Sequence, residues 1–257
     1  MPSTSHLSAK EREQLQEEAK DTAKALQQSL SEARPDTHSE TKWATLSPEE
    51  KWESLYAVDR VQVLQALEHA LAYRQHRREA TVTYHPRDRA EAIEGQIEHA
   101  ADGLYQHGDH DTPARISLHH DTALQTNLFT SLRVLFEEQR HAVQYSEVIK
   151  HRSGIPSNYS LVSDNQIRTW ENCFDNRPTT PPLSKEAEDA YRKDPLELDA
   201  NRDALARTKS LRFALRELTA ERAKEATNER IKELQEAVQK EAREQEQEEE
   251  LTREIGR

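Results

Sequence analysis

Apolar positions recur at helical spacing along most of the chain, and the stretch with the most chemistry on its polar side is Leu132 to Tyr145, LRVLFEEQRHAVQY. Leu132, Leu135, Phe136 and Ala142 fall on one side, which predicts an amphipathic helix starting near Thr122. Upstream, Ser8 and Glu11 have capping-box spacing and open a helix from about 9 to 33. Its apolar stripe is thin: Leu15, Ala19, Ala23, Leu26 and Leu30. That predicts a solvated or loosely docked helix, with a partner-binding helix as the alternative. A polar linker with Pro35 follows. LSPEEKW then marks a helix start, with Ser47 as N-cap, Pro48 at the first position and Glu50 placed to bond back. Trp52, Leu55, Tyr56, Val61, Leu64, Leu67 and Leu71 continue as one helix or a broken pair over 48–78.

The period then shortens. ATVTYH (80–85), DGLYQHG (102–108) and ARISLHHD (114–121) read as short strands, with Ile116 and Leu118 on one face. RDRAEAIEGQIEHAA, between the first two, reads as helical. Past the long helix, SGIPSNYSLVSD is a loop and NQIRTWENCFDN a short helix bearing Ile167, Trp170 and Phe174. RPTTPPLSK is a Pro-rich connection. Helical signals return from Ser184, are interrupted at Pro195, and allow one long helix over 197–253. Its stripe is broken: Leu211, Leu215 and Leu218, then Ile231, Leu234 and Val238. Beyond about 240 nearly every residue is charged or Gln, which predicts a solvated helix or a disordered tail.

A small sheet followed by a helix predicts an α+β core with mainly helical flanks: residues 1–46 a helix and linker, 47–205 the core, 206–257 a charged helix or tail. Composition agrees. With 34% hydrophobic and 33% charged residues, the chain is too polar for one compact domain, where about 45–50% apolar is usual. A net charge of −12 argues against a general nucleic-acid partner. One cysteine, Cys173, excludes an internal disulfide and an all-Cys zinc site. No apolar run approaches the roughly 20 residues that span a bilayer, and MPSTSHLSAKERE has no signal-peptide core. The expectation is a soluble chain made in a cytoplasm. Signal-independent delivery, or association with a virion or other particle, stays open.

The polar side of the Leu132–Tyr145 stretch carries the candidate chemistry. Glu137 and His141 are four residues apart and share a helix face, with Glu138 beside them. This is the layout of H-E-x-x-H, in which two histidines bind zinc and the glutamate acts as general base. Glu137 stands in place of the first histidine. A carboxylate there can ligate zinc, but it adds negative charge, weakens the electrophile and favours harder ions. Glu137 can equally be an ordinary surface residue. A second cluster, HGDHD (107–111) with His119, His120 and Asp121, reads as exposed loop histidines or a separate metal site. His119 or His120 could also supply a missing imidazole; as strand neighbours, only one of them can face the site. Cys173, between Trp170 and Phe174, reads as buried and inert.

Further residues extend the pattern. Glu138, Arg140, His141, Ala142 and Gln144 are followed by Trp170 and Phe174, then by Tyr191, Pro195, Glu197, Asp199 and Ala200. This ordered set resembles H-E-x-R-H-A-x-Q, W-x-x-x-F and Y-x-x-x-P-x-E-x-D-A of minimal zincin-like metallopeptidase domains. Those domains occur in bacterial polymorphic toxins and in phage or mobile-element proteins. The resemblance covers about 44–205 and implies a zincin-like fold with a gluzincin-like site. His141 and Glu197 would be zinc ligands, with Glu137 in the remaining ligand position and Glu138 as general base. Asp199 would orient a ligand, while Arg140 and Gln144 would tie the helix to its surroundings. The implied function is a zinc-dependent metallopeptidase-type domain, intact or degenerate, acting on a protein or peptide. The alternative is a non-catalytic structural or adaptor protein that keeps the fold and binds partners through its helices. Neither reading requires nucleic acid or a membrane.

Overall fold

The computed structural model describes residues 9–85, 103–108, 112–119, 127–159, 161–176 and 191–255. In chain order the elements are α1 (Ala9–Glu32), α2 (Glu40–Thr45), α3 (Pro48–Glu53), α4 (Ala57–Arg74), β1 (Thr81–His85), β2 (Gly103–Gln106), β3 (Arg115–His119), α5 (Leu128–Arg152), α6 (Asp164–Asn176) and α7 (Pro195–Ile255). The fold is α+β, mostly helical around a small mixed sheet. The expected helix after residue 85, the Pro-rich connection after 176 and the helical signals over 184–190 lie outside the described residues.

Local capping sets several helix starts. Ser47 and Glu50 form the complete capping box of α3, each side chain accepting the other's backbone N–H. Residues 48–78 are a broken pair, because Tyr56 is extended (ψ 161°) and separates α3 from α4. The long helix starts later than expected. Asn127 is extended and accepts the Thr130 N–H at 3.0 Å, so α5 begins at Leu128 rather than near Thr122.

The strand order is β1-β3-β2, with β1 parallel and β2 antiparallel to β3, so β2 is an edge among the described strands. α5 lies against β2 and β3. Gly103 shows which face it covers. A Cβ there would stand 2.8 Å from Glu138 Cγ and 2.8 Å from Val134 Cγ1, both on α5. Gly103 pairs with Leu118 and Tyr105 with Ile116, so these four residues look at α5. Ser117 and His119 therefore look away from it.

α1 corrects the expectation of loose docking. Ala23, Leu26 and Leu30 are fully buried, α1 packs on α4, and Trp43 Nε1–H donates to Leu30 O at 2.9 Å. A stripe built partly of alanine is thin, but it lets the helix approach closely. Each buried leucine then contributes about 1.5–3 kcal/mol. At the other end of the core, Val143, Val148, Tyr159, Val162, Ile167, Trp170 and Leu196 form one cluster, joining α5, α6 and the start of α7.

The chain divides into two compact units, Met1–Ala214 and Leu215–Arg257. The second continues α7, and its backbone is helical to Ile255. Ile231, Leu234 and Val238 are exposed there. Among the described residues, no helix is long and apolar enough to cross a membrane.

Candidate functional site

The polar side of α5 meets the first turns of α7 in a ladder. Gln144 Nε2 donates to Leu196 O (3.0 Å) and Asp199 Oδ2 (2.9 Å). His141 Nε2 stands 3.3 Å from Glu197 Oε2. Arg140 forks onto Asp199, Nε to Oδ2 at 2.8 Å and Nη2 to Oδ1 at 3.2 Å. Asn201 Nδ2 donates to Glu137 Oε1 at 2.9 Å. Numbers fall along α5 as they rise along α7, so the two segments run antiparallel. The long side chains Arg140, Gln144 and Asn201 span the gap between the two segments. Asp194 Oδ1 accepts the Leu196 N–H at 2.8 Å at the start of α7. Glu197 then falls in the first turn, where the helix dipole favours a carboxylate.

Gln144 decides the state of His141. Its amide nitrogen is committed to two oxygens, so its Oε1 faces His141 Nδ1, at 2.9 Å. An amide oxygen only accepts, so Nδ1 carries a proton. In the neutral ring Nε2 is then bare, a lone pair aimed at the Glu197 side; in the imidazolium it is a second donor. For His141, burial opposes the charged ring. The hydrogen bond to Glu197, the charges of Glu138 and Glu197, and Gln144 outweigh it and raise the pKa to about 9.

Glu138 lies on the sheet side of His141, 7% exposed. Gly103 brings the β2 backbone against it, and the Tyr105 N–H donates to its carboxylate. Burial pushes the Glu138 pKa up to about 7, against the His141 charge and with the help of Glu137 and Glu197. Arg140 is held over Trp170, its Cζ 4.9 Å from the ring centre. Burial disfavours its charge, but Asp203 and Asp199 hold its pKa above the usual arginine value.

Glu138, His141 and Glu197 thus converge, with Arg140, Gln144 and Asp199 in the hydrogen-bonded frame behind them. Glu137 is half-buried and held by Asn201. Two atoms bonded to one tetrahedral zinc at 2.0–2.1 Å lie about 3.3 Å apart, which is the His141–Glu197 separation. The same separation serves a direct ion pair. That spacing alone does not distinguish two ligands of one ion from an ion pair. Among the described residues, no group of three or more His, Cys, Asp or Glu is gathered to hold a metal ion.

The other candidates lie elsewhere. His119 is on the sheet face away from α5, and its buried Nδ1 has no hydrogen-bond partner among the described residues. It does not replace the imidazole missing at 137. His110, His120 and Asp121 lie outside the described residues. His107 stacks on Tyr145, ring centres 4.4 Å apart. Cys173 is half-buried against the α5–α6–α7 cluster.

Sequence reasoning missed Asn201, Gly103 and Tyr105. Two of them left a signal. Asn201 is one helical turn beyond Glu197. Gly103 is one of only 5 glycines, and a glycine inside a strand marks a close backbone approach. No family model matches the chain, and no curated protein or solved structure matches it either.

Proposed function

We propose that this chain carries a zincin-like metallopeptidase-type domain in a lapsed form, one that binds zinc weakly and hydrolyses little or nothing. In keeping with the resemblance, it belongs to a toxin, effector or mobile-element protein. The observation that carries this reading is the meeting of His141 Nε2 and Glu197 Oε2 at the spacing of two tetrahedral ligands. They come from segments far apart in sequence, with a buried glutamate beside them.

Each residue has a definable task. His141, oriented through Nδ1 by Gln144, and Glu197 would hold the ion. A bound zinc would polarise a carbonyl and lower the pKa of its water to about 7. Glu138, itself near 7, would take up a proton and return it to a leaving amine. β2, an edge among the described strands and beside Glu138, offers backbone groups to an extended peptide. Glu137 supplies a carboxylate where an imidazole would leave the ion more electrophilic, and Asn201 occupies one of its oxygens.

Zinc titration by calorimetry tests this, using the natural chain, Glu137→His and His141→Ala. The expected order is weak binding in the natural chain, tighter binding in Glu137→His and none in His141→Ala. If Glu137→His binds no more zinc than His141→Ala, the metal reading fails.

A second reading, a non-catalytic structural or adaptor protein, is favoured by the Glu137–Asn201 bond, which ties the departing residue into the helix ladder without a metal. Exposed Ile231, Leu234 and Val238 suit helix-mediated association. That outcome of the titration would select it.

A further inference from the structure

A line of buried polar side chains leads from α1 to the candidate site. Glu18, on α1, is 4% exposed and accepts from Arg207 Nη1. Arg207 also donates from Nε to Asp203 Oδ2 and from Nη2 to the Tyr159 hydroxyl, each at 2.5 Å. The second Asp203 oxygen stands 3.8 Å from Arg140 Nη1. Arg140 forks onto Asp199, which accepts from Gln144, which accepts from His141.

Two features make this more than packing. A buried ion pair adds little net stability over an apolar pair of similar volume, so Glu18 is not needed merely to dock a helix that already buries Ala23, Leu26 and Leu30. Asp203, moreover, is divided between two arginines. Arg140 Nη1 is buried without a hydrogen-bond partner among the described residues and faces Asp203 only at ion-pair range. Glu18 neutralises Arg207 from the far side and so leaves part of the Asp203 charge for Arg140. Without Glu18, Arg207 would draw Asp203 to itself. Arg140 would lean harder on Asp199, and the Asp199–Gln144 bond that fixes His141 would loosen.

We propose that Glu18 and Arg207 are positioning residues for the site, which set the orientation of the His141 ring through Asp203, Arg140, Asp199 and Gln144. The inference rests on the functional reading above for its consequence but not for its first measurement.

That measurement is the ring 15N and 13C resonances of His141 in the full-length, metal-free chain, compared among Glu18→Gln, Arg207→Lys and Leu26→Val. Glu18→Gln keeps an oxygen for Arg207 but removes the charge. Lysine at 207 cannot reach three partners as a fork does, and it carries the test alone if Glu18→Gln does not fold. Leu26→Val loosens α1 without touching the network. Glu18→Gln and Arg207→Lys are expected to move the His141 resonances, and Leu26→Val to leave them in place. In a Glu137→His background the first two should also weaken zinc binding about tenfold, the lower end of what removing a ligand's supporting partner costs. Unmoved His141 resonances in the first two variants, or an equal shift in Leu26→Val, would overturn the proposal. Moved resonances in a protein that binds no zinc would support the coupling and sink the metal reading alone.

Discussion

At the scale of single residues, two raised pKa values make the site sensitive to pH in one direction. Glu138 titrates near 7 instead of 4.5, so the fold favours its protonated form. Ionising it inside the protein therefore removes stability progressively as pH rises from about 4.5 to about 7. His141 is raised from 6.5 to about 9, so its contribution is complete below 6.5 and lost as pH rises through 9. The metal-free chain should thus lose a few kcal/mol of stability between about pH 5 and pH 9, because each tenfold change in proton affinity is worth about 1.4 kcal/mol. Glu138→Gln keeps an acceptor for the Tyr105 N–H but cannot ionise. It should unfold at a higher urea concentration than the natural chain at pH 8 and at nearly the same one at pH 4.5. Equal midpoints at pH 8 would mean that Glu138 is not buried as a strained anion. In a Glu137→His background the same change should leave zinc bound and abolish any peptide hydrolysis, because an amide cannot accept a proton from water.

At the scale of elements, two contacts carry the arrangement. α1 is integral to the core, so Leu26→Ala should cost about 2–5 kcal/mol, the range for a buried leucine. A helix resting loosely on the surface would lose under about 0.5 kcal/mol, and chemical denaturation separates the two cases. β2 depends on Gly103. The nearest α5 side-chain atoms would stand 2.8 Å from an added Cβ, so Gly103→Ala must displace the Glu138 and Val134 side chains or the strand itself and should cost about 1–3 kcal/mol. It should also free Glu138 from the Tyr105 N–H, visible as increased amide exchange at Tyr105. Protected exchange at Tyr105 in the alanine variant would show that the strand and helix yield elsewhere.

For the whole molecule, the two units differ in what holds them. The first has a core that α1, α4, α5, α6, the sheet and the start of α7 build together. The second is a helical segment whose side chains are mostly exposed among the described residues, with surface pairs such as Arg230–Glu233. Such pairs contribute a few tenths of a kcal/mol each. Leu215 is still buried, so ending the chain after Ala220, past the last buried position among the described residues, should leave the denaturant midpoint of the first unit within about 0.5 kcal/mol of the full chain. Limited proteolysis should trim the second unit first. A truncated chain that fails to fold would show that the second unit is needed by the first.

What the sequence determined by itself was local. Ser47 and Glu50 announced α3, and Leu132, Leu135 and Phe136 the buried side of α5, because caps and helical periodicity act within one or two turns; Pro195, read as an interruption, is instead the first residue of α7. The α+β class followed from the change of period near residue 80. The candidate residues 137, 138 and 141 were legible as a pattern of types and spacings, while 197 and 199 entered only through the resemblance. Tertiary structure alone decided how those residues meet. Strand order put β2, not β1, beside Glu138. Strand parity turned His119 away from α5. The antiparallel course of α7 along α5 brought Glu197 to His141 and gave Glu137 to Asn201. α1 was legible as a helix but not as core, since its burial depends on the shape of α4, against which it packs. These are non-local choices. They are settled by which surfaces fill one another and which buried charges find partners, and no window of neighbouring residues contains both sides of that choice.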